Sequence, residues 1–330
     1  MNDIVDQTFS EETVAPVELD AHGLSAALPE LLVDARRVAQ TVIHGIHGRR
    51  RAGPGETFWQ FRQFGDGDTR AQIDWRRSGA SDHLFIRERE WEAAQSAWLW
   101  LDLSASMGFR SRLSDTLKRD RALVLGLALG ALLSRGGERV GLLGAMPPRS
   151  ARNMIEVLAQ ALLERARSGP FDGLPVTDGP KRHHEVVLIG DFLSPPYETE
   201  QRLAALASTG VNGHLVQIVD PAEETLPYSG RVEFLPMADG ERVMAERVDG
   251  LREAYQARFA AHRRALRTMA NRFGWSFLVH HTDRPAGEAL LTLSNRIAGS
   301  GGDYRSVSSD GDATGAPEDL PLTPKLQVVR

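Results

Sequence analysis

The sequence predicts an α/β fold: a mostly parallel sheet flanked by helices, with a small N-terminal β-rich extension. From residue 95 onwards, short apolar runs alternate with longer helical patterns, the order expected of parallel strands joined by right-handed crossovers. Several of these runs, such as residues 185–190, lack the polar alternation of a half-exposed strand. Such strands are expected to be buried on both faces, with helices covering each side of the sheet.

Composition divides the 330 residues into four regions. Residues 1–29 are acidic and without periodicity, and we expect a flexible leader there. Residues 30–92 are expected to contain a helix at 31–43 and the β-rich extension. Residues 93–298 form the α/β domain. Residues 299–330 are rich in Gly, Ser, Asp and Pro and are expected to be a disordered tail.

The α/β region contains five apolar runs that predict strands and five periodic segments that predict helices. The expected strands lie at residues 96–103, 139–145, 185–190, 214–219 and 275–280. The expected helices lie at residues 114–135, with Ser114 as the cap, and at 153–166, 198–207, 248–273 and 290–297. Asp239 and Gly240 form a turn signal that predicts a hairpin of residues 231–235 with 242–245.

Composition also limits the compartment and the kind of partner. The net charge of -5 gives no electrostatic reason to expect nucleic acid as a partner. The absence of cysteine excludes thiolate chemistry and suits a reducing compartment. The longest apolar run, residues 122–133, is shorter than the ~20 residues of a spanning helix, and the N-terminus does not resemble a secretory signal. We therefore expect a cytoplasmic protein without direct membrane insertion.

The strongest chemical signal is the loop that directly follows the first predicted strand. It carries Asp102, Ser104 and Ser106, which are two residues apart and so project to one side of an extended loop. In open α/β sheets, ligands bind beyond the carboxyl ends of the strands. One carboxylate and two hydroxyls are hard oxygen donors that suit Mg²⁺ or Mn²⁺. In the alternative interpretation, Asp102 and Ser104 only cap the following turn.

A second acid is placed to join this loop. Asp191 follows the predicted strand at 185–190, and the sheet can bring both strand ends together. A metal ion held by Asp102 and Asp191 would keep an open position for a carboxylate from another protein. The same pair supports an alternative of a different class, a Mg²⁺-dependent hydrolase with a metal-bound water as nucleophile. The sequence identifies no general base for it, so we favour a non-enzymatic protein.

The segment at residues 48–90 is dense in Arg, Gly and aromatic residues and predicts short strands and turns. Its charged side chains form either a surface for a partner protein or an internal network of ion pairs. Exposed pairs would contribute only ~0–1 kcal/mol each. The residues concerned are Arg62, Asp66, Asp68, Arg70, Asp74 and Arg76.

Two parts of the sequence resemble a known family. The loop Asp102-Leu103-Ser104-Ala105-Ser106 is similar to the first loop of a metal-ion-dependent adhesion site. The more specific stretches precede it: Gly53-Pro54-Gly55-Glu56, Arg62-Gln63-Phe64, Gly65-Asp66-Gly67-Asp68, Arg70, Ile73-Asp74-Trp75-Arg76 and Arg87-Glu88-Arg89-Glu90. Together they resemble domain-of-unknown-function family 58, a bacterial von Willebrand factor A-like group, over residues 30–297.

The resemblance implies a von Willebrand factor A-like (Rossmann-like) domain that interacts with other proteins. Members of this family look like adaptors or co-chaperones of MoxR-type AAA+ ATPases, and membrane-bound proteins are further partners to expect. It also implies a metal site on Asp102, Ser104, Ser106 and Asp191. The usual threonine of the second loop is absent from residues 146–153, where Ser150 is the candidate substitute. The sequence thus predicts a non-enzymatic, metal-dependent interaction module.

Overall fold

The computed structural model describes residues 21–47, 58–65, 73–79, 81, 83–89, 95–171, 173–236, 242–300 and 326–329. The chain divides into two compact units. The larger unit comprises the N-terminal helix up to Ile43 together with the chain from Ser96 onwards, and the smaller unit comprises residues 44–95.

Helices and strands alternate along most of the described chain, and two short 3-10 helices, Ala105–Gly108 and Val248–Gly250, interrupt the loops. In chain order the elements are α1 (Ala21–His47), β1 (Phe58–Gln63), α2 (Trp75–Ser78), β2 (Phe85–Arg89), β3 (Ser96–Leu101), α3 (Lys118–Arg135), β4 (Arg139–Leu142), β5 (Met146–Arg149), α4 (Met154–Arg167), β6 (Glu185–Gly190), α5 (Pro196–Ser208), β7 (Asn212–Val219), α6 (Pro221–Thr225), β8 (Val232–Pro236), β9 (Val243–Ala245), α7 (Arg252–Arg272), β10 (Ser276–His281), α8 (Ala286–Ser300) and β11 (Leu326–Val329).

Six strands form the central sheet of the larger unit, in the order β10-β7-β6-β3-β4-β5. Neighbouring strands are parallel except for β4 and β5, which are antiparallel. The predicted α/β fold with a mostly parallel sheet is therefore confirmed. The edge strand β5 is an addition that the sequence analysis did not predict, because its two prolines, Pro147 and Pro148, are tolerated only at a sheet edge.

The central strands are buried on both faces. Leu99 and Leu101 pack in one core with side chains of α1, α3, α4 and α8. Trp98 and Trp100 pack in a second core with side chains of α5 and α7. Because successive strand residues point to opposite faces, the nearly continuous apolar run of β3 supplies both cores at once.

Helix α1 begins at Ala21, inside the segment predicted to be a flexible leader. Its residues Leu24 and Leu28 are buried in the core of the larger unit. The leader prediction is therefore wrong for residues 21–29, and the helix up to Ile43 belongs with the sheet rather than with the extension. Pro29 lies inside the helix, and an internal proline normally ends a helix because it removes a backbone donor.

Helix α3 lies close against the sheet. A Cβ atom on Gly126 would come within 2.4 Å of Leu101 Cδ2, so a larger residue there would require the side chain of Leu101 to shift. The helix begins at Lys118, later than predicted, with Leu117 as its N-cap residue. The prediction that Ser114 caps it is wrong, because Ser114 Oγ instead accepts a hydrogen bond from Thr116 N at 3.2 Å.

The C-terminal third of the chain differs from its predictions in three places. The helix predicted at 248–273 is divided into the 3-10 turn and α7, and the closing helix α8 is longer than expected. Strands β8 and β9 pair antiparallel and confirm the predicted hairpin, although its turn at Asp239-Gly240 lies outside the described residues. Strand β11 pairs with β8, so the prediction of a wholly disordered tail is wrong at Leu326–Val329.

The smaller unit contains the short strands that its sequence predicted. Strands β1 and β2 pair antiparallel, with an irregularity in register between Phe58 and Gln60. Asp74 caps α2, since its Oδ1 accepts a hydrogen bond from Arg77 N at 3.0 Å.

Among the described residues, no helix is both long enough and apolar enough to cross a bilayer.

Candidate functional site

Three acidic residues lie where neighbouring parallel strands end. Asp102 follows β3, Asp191 follows β6 and Asp220 follows β7, and these strands are adjacent in the sheet. All three are buried. Asp102 N donates to Ile189 O at 2.8 Å, which continues the pairing of β3 with β6 up to the loops. The carboxyl edge of the sheet thus carries a buried cluster of acids.

The first loop folds around the side chain of Asp102. Its Oδ1 accepts a hydrogen bond from Ser104 N at 2.9 Å, and the hydroxyl oxygens of Ser104 and Ser106 are 3.2 Å apart. Ser106 also hydrogen-bonds to the carboxylate of Asp191. The structure therefore brings both serines and Asp191 into one hydrogen-bonded chain. Asp102 also caps the turn that follows it, as the alternative interpretation of the sequence expected.

A lysine that sequence analysis did not identify completes the cluster. Lys118 is the first residue of α3, and none of it is exposed to solvent (0%). Its Nζ donates to Asp191 Oδ2 at 2.9 Å and to Glu223 Oε1 at 2.6 Å. One sequence signal could have found it: Lys118 is in register with the buried residues Ala122 and Leu125 of the same helix.

The three charged groups affect one another's pKa values. Burial by itself lowers the pKa of Lys118, but the charges and hydrogen bonds of Asp191 and Glu223 raise it above its ordinary value. Burial raises the pKa of Asp191, yet Lys118, with hydrogen bonds from Ser106 and Leu193 N, holds it below its usual range. Burial raises the pKa of Glu223 above its ordinary value, and the positive charge of Lys118 offsets only part of that rise. Lys118 thus forms ion pairs with both acids, and Asp191 is the one whose pKa lies below its ordinary value.

The third loop is joined to the same network. Asp220 caps α6 in a capping box: its Oδ1 accepts a hydrogen bond from Ala222 N at 2.9 Å, and its own N donates to Glu223 Oε2 at 2.8 Å. Its Oδ2 accepts a hydrogen bond from Ser111 N at 2.9 Å. Glu223 thus connects the start of α6 to Lys118, and Asp220 connects it to the segment after the first loop.

Ser150 lies at the opposite edge of the sheet from Asp102, so the prediction that it substitutes for the second-loop threonine is wrong. Strand β5 runs antiparallel to β4, and Arg149 at its end pairs with Val140 near the start of β4. Ser150 therefore follows a strand that ends where the parallel strands begin.

The predicted charged surface lies largely outside the described residues. This holds for Asp66, Asp68 and Arg70 and for the side chain of Arg62. The remaining two lie in the smaller unit: Arg76 is exposed on α2, and Asp74 caps that helix. The hydrogen bond that Asp74 accepts from Arg77 N supports a structural role for Asp74 within the smaller unit. The role of the six charged residues as a surface for a partner protein stays a prediction.

The residues present do not fit a divalent cation in the way that the resemblance implies. The ammonium group of Lys118 already binds Asp191, and a second cation beside it would be repelled. Ser150 lies elsewhere. Within the described ranges, no group of three or more His, Cys, Asp or Glu side chains is arranged to hold a metal ion. Binding of Mg²⁺ or Mn²⁺ stays a prediction, and the position of Lys118 speaks against it.

An α/β domain with a six-stranded, mostly parallel sheet and an Asp-x-Ser-x-Ser loop at its carboxyl edge defines a von Willebrand factor A-like protein. The chain belongs to the family described as "Protein of unknown function DUF58", whose model matches residues 60–265. The predicted family and fold class are thus both confirmed.

Relatives of similar length occur in mycobacteria. Uncharacterized protein Mb1516 of Mycobacterium bovis and uncharacterized protein Rv1480 of Mycobacterium tuberculosis are each 28% identical over 282 residues, which cover 81% of this chain and 87% of theirs.

Two solved structures from Bacteroides are weakly similar. The conserved hypothetical protein BatB from Bacteroides thetaiotaomicron matches with a TM-score of 0.35 and 12% identity, covering 62% of this chain and 100% of that chain. An aerotolerance-related membrane protein from Bacteroides fragilis matches over the same shares with a TM-score of 0.34 and 14% identity. Both scores are too low to support an inference about function.

Proposed function

We propose that this protein is a non-enzymatic interaction module that acts as a cytoplasmic adaptor or co-chaperone of a MoxR-type AAA+ ATPase. The observation that carries the proposal is a set of exposed side chains at the carboxyl edge of the sheet, which we name the edge surface. It consists of Arg110, Arg112, Leu113 and Tyr197.

The edge surface has the composition of a protein-binding site. Leu113 is 50% exposed and Tyr197 is 57% exposed, while Arg110 and Arg112 are also exposed. Tyr and Arg are enriched among the residues that dominate binding energy at interfaces. The hydrogen bond from Ser111 N to Asp220 anchors the loop that carries three of these residues. An anchored loop loses less conformational entropy on binding, which favours affinity.

The network beneath the edge surface supports binding rather than catalysis. The hydroxyl oxygens of Ser104 and Ser106 are 3.2 Å apart, and both residues are buried rather than exposed to a substrate. The acid in contact with Ser106 is Asp191, whose pKa is lowered, and an efficient general base needs a pKa near the working pH. The hydrolase that uses Asp102 and Asp191 therefore gains no support here.

Affinity for a purified MoxR-type ATPase of the same organism tests the proposal. We expect Leu113→Asp and Arg112→Glu each to weaken binding by about tenfold or more, as for residues at the centre of an interface. Arg152→Glu is the control, because Arg152 is exposed and follows β5, which ends where the parallel strands begin. Unchanged affinity in both edge variants, or an equal loss in the control, would contradict the proposal.

A metal-bridged form of this proposal makes a separate prediction. If Mg²⁺ or Mn²⁺ on Asp102, Ser104, Ser106 and Asp191 accepted a carboxylate from the ATPase, EDTA would abolish the complex and Asp102→Ala would weaken it. Docking through the edge surface alone is insensitive to EDTA. The same binding assay, repeated in EDTA and in millimolar Mg²⁺, distinguishes the two forms.

A further inference from the structure

We propose that the ammonium group of Lys118 is the resident cation of this site, where it ties three strand-end loops together in place of a divalent metal. The inference does not depend on the identity of the partner protein. It rests on the positions of Lys118, Asp191 and Glu223 in the larger unit.

Lys118 contacts two acids that follow different strands of the sheet. Asp191 comes from the loop after β6 and Glu223 from the first turn of α6, after β7. Nζ lies 2.9 Å from one and 2.6 Å from the other. The first loop joins through Ser106, which hydrogen-bonds to Asp191. A single positive charge therefore connects the ends of β3, β6 and β7, three neighbouring strands of the sheet.

The position of Lys118 would be unfavourable without these partners. A buried ammonium loses its hydration, and a positive charge in the first turn of a helix opposes the helix dipole. Both costs apply here, because Lys118 is the first residue of an 18-residue helix and has no exposed surface. Two carboxylates offset these costs here, since Asp191 and Glu223 both lie within hydrogen-bond distance of Nζ.

An ammonium ion and Mg²⁺ can both bind oxygen ligands, but they differ in charge and in whether they can dissociate from the protein. Both can draw oxygen ligands from separate loops, which is how a metal would join the ends of β3 and β6. The ammonium of Lys118, however, is covalently attached to α3 and cannot dissociate, and it carries half the charge of Mg²⁺. A loop cluster built on it is complete in the absence of metal, so its stability does not follow the metal concentration.

Metal binding by the full chain is the first test. With MnCl2 as the only added probe and electron paramagnetic resonance as the readout, we expect no stoichiometric binding at millimolar Mn²⁺. We expect Lys118→Ala to gain a Mn²⁺ site, because it leaves Asp191 and Glu223 without their cation. Stoichiometric binding by the wild type that Asp102→Ala abolishes would overturn the proposal, as would a folded Lys118→Ala variant that binds no Mn²⁺.

A double-mutant cycle tests the tie itself. Lys118→Met and Asp191→Asn each leave the other group buried without its main partner, and each is expected to lower the unfolding midpoint by on the order of 10 °C. The double variant removes both charges, so its loss is expected to be well below the sum of the single losses. Strictly additive losses would show that the two groups act independently and would overturn the proposal. If one single variant fails to fold, recovery of folding in the double variant supports it.

Discussion

At the scale of single residues, Gly190 determines how closely the side chain of Asp102 can approach the neighbouring strand. A Cβ atom on Gly190 would lie 2.7 Å from Asp102 Cβ and 3.1 Å from its Oδ2. The first distance is too short for two carbon atoms, so any larger residue at this position must displace the first loop. The glycine at the end of β6 is therefore part of the site, although it contributes no side chain.

Gly190→Ala is expected to destabilise the protein by about 1–3 kcal/mol, the usual cost of overpacking a buried position. Gly287→Ala is the control, because nothing lies within 4 Å of a Cβ at that helical position. The control should be neutral or stabilise the protein by up to about 1 kcal/mol. Urea unfolding followed by circular dichroism measures both, and equal free energies of unfolding for the two variants would contradict this account of Gly190.

At the scale of elements, α1 shows where local sequence signals and tertiary packing disagree. Its apolar residues recur at helical spacing from Leu24 to Val42 and are buried against the rest of the larger unit. Pro29 interrupts the local signal, so the sequence alone favours a start after it. The burial of Leu24 and Leu28 compensates for the hydrogen bond that Pro29 cannot donate, and that burial depends on the rest of the larger unit.

Leu28→Ala is expected to lower the free energy of unfolding by about 2–5 kcal/mol, since Leu28 is only 4% exposed. Val33→Ala in the same helix should change it by less than about 0.5 kcal/mol, because Val33 is 61% exposed. Chemical denaturation of both variants gives the comparison. A loss for Leu28→Ala as small as that for Val33→Ala would mean that the first turns of α1 do not pack on the domain.

At the scale of the whole molecule, the sequence was sufficient to predict the parallel strands of the sheet, but not its edge strand β5 or the interior of the site. A short apolar run such as that of β6 can only be buried on both faces. The positions of the parallel strands and the α/β fold class therefore follow from the sequence. The partners of Lys118 could not be predicted in the same way. Its contacts join residues 73 and 105 positions away along the chain, and the packing of α3 against the sheet brings them together.

The stability of the whole molecule is expected to depend on pH through His280. It is 4% exposed, and burial, with the nearby charges of Arg121 and His281, lowers its pKa to about 3. In the unfolded chain its pKa is about 6.5. As the pH falls, the unfolded state takes up the proton first. The contribution of neutral His280 is therefore complete above about pH 6.5 and is lost progressively down to about pH 3, a change on the order of a few kcal/mol.

Urea unfolding at a series of pH values from neutral to acid measures this loss. The variant His280→Leu should lose less stability over that range than the wild type, whereas the control His22→Leu, at an exposed position, should follow it. In His280→Leu, part of the dependence of the unfolding free energy on pH should remain, because burial also lowers the pKa of His262. Identical slopes for wild type and His280→Leu would assign the acid sensitivity to other groups.

The enclosure of Lys118 has a spectroscopic consequence. Its ammonium protons lie away from water and are held by two carboxylates, so they should exchange with solvent far more slowly than those of surface lysines. In a protein labelled with nitrogen-15, they should give a separate resonance at neutral pH, where exposed ammonium groups are broadened beyond detection. That resonance would serve as a natural probe: it would persist if a partner binds over the closed loops and vanish if binding pulls them apart.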